Sequence, residues 1–185
     1  MVGTPKRVIL AEYFMELLIP GLILVALMIY ASTKIKKSAA QAYKAEFIDG
    51  DGFSITKPEG FIYPLNGDSP FSLEAYTKEF GNPPNERLRR ASVELRVFKG
   101  ADVKEVVDIV RSSAVLVVSE RKSLENSSVH VLETEETTDK SDVSAFHKIV
   151  DGDTRVFHLR AWVLREHKDE FSGRIEEMLE SFTVK

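Results

Sequence analysis

From Val8 to Ser32 the chain reads VILAEYFMELLIPGLILVALMIYAS, apolar except for Glu12 and Glu16, and a membrane-crossing helix needs roughly 20 such residues. The pattern predicts a transmembrane helix over 8–32, kinked past the two carboxylates by Pro20-Gly21. Glu12 and Glu16 stand four apart and so share a helical face. A carboxylate at membrane depth pairs, protonates or meets a polar contact, which makes both candidates for binding a partner. The alternative is that they lie in the interfacial zone near Lys6 and Arg7 and reach water. The following TKIKKSAAQAYKAEF has good helix formers and no Gly or Pro before Gly50, so a polar helical stalk is expected over 33–46. Residues 1–7 are then an N-terminal tail, and 47–185 are left for one globular domain.

Within that domain the period shifts toward two. Phe53-Ser54-Ile55-Thr56 alternates and stops at Lys57-Pro58-Glu59-Gly60; Phe71 to Tyr76 alternates again after a loop from Pro64 to Pro70. Both read as strands, expected to be antiparallel neighbours. Gly81 to Asn85 is a loop by its turn chemistry. Ala91 to Phe98 is a third strand, with Val93, Leu95 and Val97 on one face and Glu94, Arg96 and Phe98 on the other. Asp102 and Glu105 form a capping-box pattern ahead of a helix whose apolar stripe is Val103, Val106, Val107, Val110 and Ala114.

Val115 to Glu120 reads equally as helix end or strand. Val129 to Thr134 and Val143 to Val150 are further strands, and Asp151-Gly152-Asp153 turns the second into a long strand over Thr154 to Leu164. That strand is bulky on both faces, with Phe157, Leu159 and Val163 on one and Val156, Trp162 and Leu164 on the other. Such a strand belongs in the middle of a sheet covered on both sides. A last helix, Glu170 to Ser181 with Asp169 as its cap, places Phe171, Ile175, Met178, Leu179 and Phe182 at helical spacing and ends the domain. The fold class is α+β: one N-terminal transmembrane helix, then an antiparallel sheet flanked by helices.

Charge narrows the partners. Against 25 Lys+Arg stand 29 Asp+Glu, a net charge of −4, and the basic residues are scattered, so nucleic acid is not an expected partner. There is no cysteine, which excludes disulfides, thiol catalysis and thiolate metal sites. A cleaved signal peptide competes with the anchor, since Ala40-Gln41-Ala42 has the small residues of a cleavage site. Lys34, Lys36 and Lys37 intervene where such signals are uncharged. The same lysines and Lys44 outnumber Lys6 and Arg7, which tilts the domain toward the cytoplasmic side of the membrane.

The order of elements and several phrases resemble the PsbP-like fold, shared by the PsbP proteins of photosystem II, the Ran-binding Mog proteins and bacterial DcrB-type domains. The phrases are Gly52 to Gly60, GFSITKPEG, as an opening hairpin; Asp102-Val103-Lys104-Glu105-Val106 as the helix after the third strand; and Glu180-Ser181-Phe182 after the closing strand and helix. The resemblance spans roughly residues 47 to 185. It implies an α/β/α sandwich and a non-catalytic role beside other proteins, and a periplasmic or lumenal location, opposite to the tilt of the lysines.

Candidate chemistry is sparse. Asp49-Gly50-Asp51-Gly52 starts like a calcium loop, but Phe53 and Gly60 stand where oxygen ligands belong, so it reads as a turn. His130, His147, His158 and His167 have no metal-ligand spacing within one helix, although separate strands can bring two together. His158, Arg160 and Trp162 share a strand face, which either lines a ligand pocket or packs beneath a helix. No nucleophile elbow, phosphate loop or catalytic carboxylate pair appears, so no enzyme activity, cofactor or metal is expected.

The densest basic cluster, Arg87, Arg89 and Arg90, is a candidate contact for an acidic partner or lipid headgroups, or else a solvated loop end. Arg89-Arg90-Ala91-Ser92 also has the look of a basophilic kinase site, and Asn126-Ser127-Ser128 of a glycosylation acceptor. The acidic run Glu133 to Asp139 reads as a solvated edge or loop. Together these observations favour an accessory subunit stabilising a larger membrane complex, photosynthetic or otherwise energy-transducing, with other membrane protein subunits and the lipid bilayer as partners. The alternative is a membrane-tethered binding protein or chaperone for a peptide or small ligand.

Overall fold

A computed structural model describes residues 7–64, 69–80, 88–123, 129–138 and 141–185, with side chains from residue 18 onward. The chain divides into two units, Met1–Ala42 and Tyr43–Lys185. In the first, helix α1 (Arg7–Ala42) runs through Pro20. Its segment Leu18–Ala42 contains a stretch of mean hydropathy 1.9, long and apolar enough to cross a membrane, a test that a signal sequence also passes.

The second unit is built on two antiparallel sheets, as the described residues show them. Strands β1 (Glu46–Gly50), β2 (Phe53–Lys57) and β10 (Thr183–Val184) form the smaller, in the order β1-β2-β10. The larger contains β3 (Phe61–Ile62), β4 (Leu73–Thr77), β5 (Ala91–Lys99), β6 (Leu116–Ser123), β7 (Val129–Thr137), β8 (Asp142–Asp151) and β9 (Arg155–Leu164), in the order β3-β4-β5-β9-β8-β7-β6. Helix α2 (Val103–Ser113) follows β5. A 3-10 turn at Arg165–His167 leads into α3 (Lys168–Ser181).

Strand β9 is the centre of the larger sheet, as its two apolar faces required. On one face Phe157, Leu159, Ala161 and Val163 join Phe171, Ile175, Met178 and Leu179 of α3 and Phe53 and Ile55 of β2 in the main core. On the other face Val156, with Ile149 and Leu132, packs under Val103, Val106, Val107 and Val110 of α2. At roughly 1.5–3 kcal/mol per buried Val, Leu, Ile or Phe, these two clusters are the main favourable term in folding. Helix α2 begins as its pattern foretold: Asp102 Oδ1 accepts from Lys104 N at 2.8 Å, and the Glu105 carboxylate accepts from Asp102 N at 3.4 Å.

Four expectations are corrected. Strands β2 and β4 are not neighbours: the Asp51-Gly52 turn, with Gly52 at φ 80°, pairs β2 with β1, while β3 takes the place beside β4. The acidic run is not a loop, because Glu133, Thr134, Glu135 and Glu136 lie in β7 between β6 and β8, where basic side chains answer them. Asp169 does not cap α3, which starts one residue earlier behind the 3-10 turn. Asp169 and Glu170 sit instead in its first turn, where carboxylates oppose the helix dipole. Nor does α3 end the domain, since β10 returns to β2. The ambiguous stretch after α2 is strand β6.

Candidate functional site

Register on the α2 side of the larger sheet sets the site. Glu94 of β5 faces Arg160 of β9, which faces His147 of β8. One step along, Arg96 faces His158 and His158 faces Ile149. In the other direction Ser92 faces Trp162, and Trp162 faces Ala145. Because side chains alternate across a strand, all of these project from one face. Helix α2 takes the end at Leu132, Ile149 and Val156; the charged and aromatic residues occupy the remainder.

They are joined into one network. Arg160 places Nη2 2.6 Å from Glu136 Oε2 and Nη1 3.6 Å from Glu94 Oε2. Trp162 Nε1 donates to Glu94 Oε1 at 3.4 Å, and Arg96 reaches Glu94 at 3.5 Å. Glu136 Oε1 also lies 3.0 Å from His147 Nε2 and accepts from Thr134 Oγ1 at 3.0 Å. His147 Nδ1 then meets His158 Nε2 at 3.0 Å, their rings stacked, with Phe98 stacked on the far side of His158. With Glu136 accepting from the Nε2–H of His147, the tautomers that satisfy both contacts have His158 Nε2–H donating to His147 Nδ1.

Burial alone would raise the Glu136 carboxyl, but the His147 hydrogen bond and the Arg160 charge outweigh it and hold the group at about 2. Burial pushes His158 down to about 3, aided by His147, Arg160 and Arg96. The network therefore fixes charge in place. Its hydroxyl, Thr134 Oγ1, is buried. Among the described residues, no group of three or more His, Asp or Glu side chains is placed to hold a metal ion.

The basic cluster at the start of β5 is split by its surroundings. Arg87 lies outside the described residues. Arg89 is engaged by Glu74 at 2.9 Å and Glu79 at 3.6 Å and lies over the Tyr76 ring at 3.7 Å. Arg90 turns to the other side, over Phe80 at 5.4 Å. Ser92 is 1% exposed and donates to Ala75 O, which removes it as a modification site. Glu12 and Glu16 precede the described side chains of α1, and Asn126 to Ser128 fall outside the described residues. Sequence reasoning missed Glu94, Glu136 and His147 as a unit. Ionisable residues two apart in the predicted strands, Glu94 with Arg96 and His158 with Arg160, were the available signal.

No family model matches the chain, and no curated protein matches it. Solved structures do. The cyanobacterial PsbP, CyanoP, of Synechocystis sp. is 12% identical with a TM-score of 0.50, the match covering 77% of this chain and 94% of that one. The Ran-binding protein Mog1p of Saccharomyces cerevisiae is 12% identical with a TM-score of 0.51, covering 77% and 96%. A protein of Bacteroides thetaiotaomicron is 14% identical with a TM-score of 0.45; the match covers 78% of this chain, which spans about half (49%) of that protein's length. The fold of the chain is the α+β PsbP/Mog1-like fold, following an N-terminal apolar helix.

Proposed function

We propose that the chain is a non-catalytic accessory subunit of a larger membrane protein complex. Helix α1 is its single-pass anchor, and the part of the sheet face beside α2 is its docking surface. The observation that carries this reading is the composition of that surface: Trp162, Tyr76, Arg96 and Arg160 are half-buried or exposed on a rigid sheet. Trp, Tyr and Arg are the residues that dominate binding energy at protein interfaces. The Glu94 and Glu136 links hold the arginines in place before any partner arrives, which lowers the ordering cost of association. Anchoring supports the same role, because a tether raises the effective concentration of the domain at its partner and makes a weak contact persistent.

The test is a mild-detergent pull-down of the tagged full chain with mass spectrometry of what accompanies it. It is repeated on Arg96→Glu, which alters an exposed position, and on Glu12→Gln with Glu16→Gln. Stable partners are expected with the native chain, and Arg96→Glu should weaken their recovery at least about tenfold, as loss of an interface charge pair does. A chain recovered alone in every case, or partners indifferent to Arg96→Glu, defeats docking through this face.

A further inference from the structure

At one end of the domain Lys78, Phe80, Arg90, Phe171 and Arg174 line a cleft of about 450 Å³. Among the described residues, Arg89, Arg96, Arg111, Arg155, Arg160 and Arg165 each face a carboxylate. Arg90, Arg121 and Arg174 do not, and the first and last of these meet in this cleft. Each is held by an aromatic ring, Arg90 over Phe80 at 5.4 Å and Arg174 over Phe171 at 5.4 Å. A guanidinium laid on a ring keeps its planar fork available for an anion at little further ordering cost. Of the two carboxylates at the cleft, Glu79 is paired with Arg89 at 3.6 Å, and Glu170 lies 3.4 Å from His167, so three cations face one carboxylate that, among the described residues, no arginine or lysine takes up. Lys78, Arg90 and Arg174 thus leave a positive surplus facing the opening.

We infer that this cleft binds the phosphate of an anionic lipid headgroup. The occupant follows from the connectivity of the chain. Gly60 also lines the cleft, and its N–H donates to the carbonyl of Tyr43 at 2.7 Å. Tyr43 is the first residue of the domain after α1 ends at Ala42, so the tether joins the domain at the rim of the cleft. From Lys36 to Ala42 the helix rises roughly 10 Å, comparable with the headgroup layer, about 5–8 Å deep beyond the hydrocarbon. Lys34, Lys36, Lys37 and Lys44 mark this same stretch with positive charge, the arrangement that an anionic membrane surface attracts. The inference rests on α1 as an anchor and is independent of docking through the sheet face.

The full chain is reconstituted in nanodiscs of phosphatidylcholine alone or with phosphatidylglycerol. Because it has no cysteine, Glu59→Cys gives a single labelling site at an exposed turn position, close to Arg174. Quenching of a fluorophore there by headgroup-nitroxide lipid is the readout. Quenching should rise with phosphatidylglycerol, and Arg90→Gln with Arg174→Gln should weaken the apparent affinity for that lipid roughly tenfold or more. Arg121→Gln should leave it unchanged. If the double variant fails to fold, Lys78→Gln, at an exposed position, should still lower it measurably. Equal quenching in both lipids, or a rise that survives loss of the cleft cations, overturns the inference. So does protection by a polyglutamate peptide without dependence on phosphatidylglycerol, which assigns the cleft to an acidic protein segment. A chain that does not enter nanodiscs at all defeats the anchor itself, and that failure is scored before any quenching is read.

Discussion

Arg160 Nη2 lies 2.6 Å from Glu136 Oε2, and this one ion pair ties β9 to β7 across the intervening β8. His147 of β8 meets the same carboxylate from between. Three strands of the larger sheet are therefore clamped by a single glutamate whose side chain is only 11% exposed.

Removing that glutamate leaves Arg160 and His147 short of a partner in a largely dry setting. Glu136→Gln should lower unfolding stability by about 3–5 kcal/mol, the range for breaking one side of a buried pair. Adding Arg160→Met on that background should cost far less than it does alone, because the two residues act through one contact. Urea unfolding of the four chains in the same detergent checks both; additive losses would disprove the clamp.

Acid should weaken the domain in two windows. The unfolded chain protonates His158 near its ordinary 6.5, whereas the folded chain resists down to about 3. This contribution is complete above 6.5 and is lost as the pH falls toward 3. Between about pH 6.5 and pH 5 the expected loss is about 1–2 kcal/mol. Glu136, held at about 2 against an ordinary 4.5, contributes fully above 4.5 and loses that contribution as the pH falls toward 2. His158→Gln should flatten the upper window and leave the lower one, as read from urea midpoints at stepped pH.

Lys148 closes the far end of α3. Its Nζ donates to Leu179 O at 2.7 Å and Phe182 O at 2.8 Å, carbonyls at the end of the helix, where, among the described residues, Leu179 O otherwise receives only the Phe182 N–H at 3.4 Å. Burial lowers its pKa, with the Glu180 charge acting in the opposite direction. Lys148→Met should cost about 1–3 kcal/mol and speed hydrogen exchange in the last turn of α3. Unchanged exchange there would show that water caps the helix equally well.

Gly52 occupies a left-handed conformation at φ 80°, and a Cβ added there would run into the Arg155 guanidinium, which pairs with Asp51 at 2.9 Å. Gly52→Ala should therefore destabilise by about 1–2 kcal/mol or more, whereas Gly100→Ala, at φ 70° with open space around it, should show only the backbone part of that cost. Thermal melts of the two variants separate strain from collision.

Much of the fold was legible because the relevant physics is local. The Asp102 cap and the valine stripe of α2 lie within a few residues of each other, as do the alternating faces of β5 and the doubly apolar β9 that announced a central strand. The apolar run ahead of the stalk is likewise a property of one continuous segment. Where the reading failed, the deciding partner was remote. Strand β2 alternates correctly but pairs with β1 and with β10 from the other end of the chain. The acidic run looks solvated until β8 and β9 bring His147 and Arg160 to it.

The candidate sites divide along the same line. By itself the sequence determined the longer elements, the fold class and the apolar N-terminal helix, since hydrophobic period, capping and turn chemistry act over a few residues, whereas the short strands β1, β3 and β10 were not legible in it. Only the tertiary structure decided that Arg89 is consumed by Glu74 while Arg90 joins Arg174, and that Glu94, Arg160, Glu136, His147 and His158 form one network. Strand register and helix packing are set by burial over the whole domain, and a residue's own neighbours in the chain do not encode which distant charge will face it.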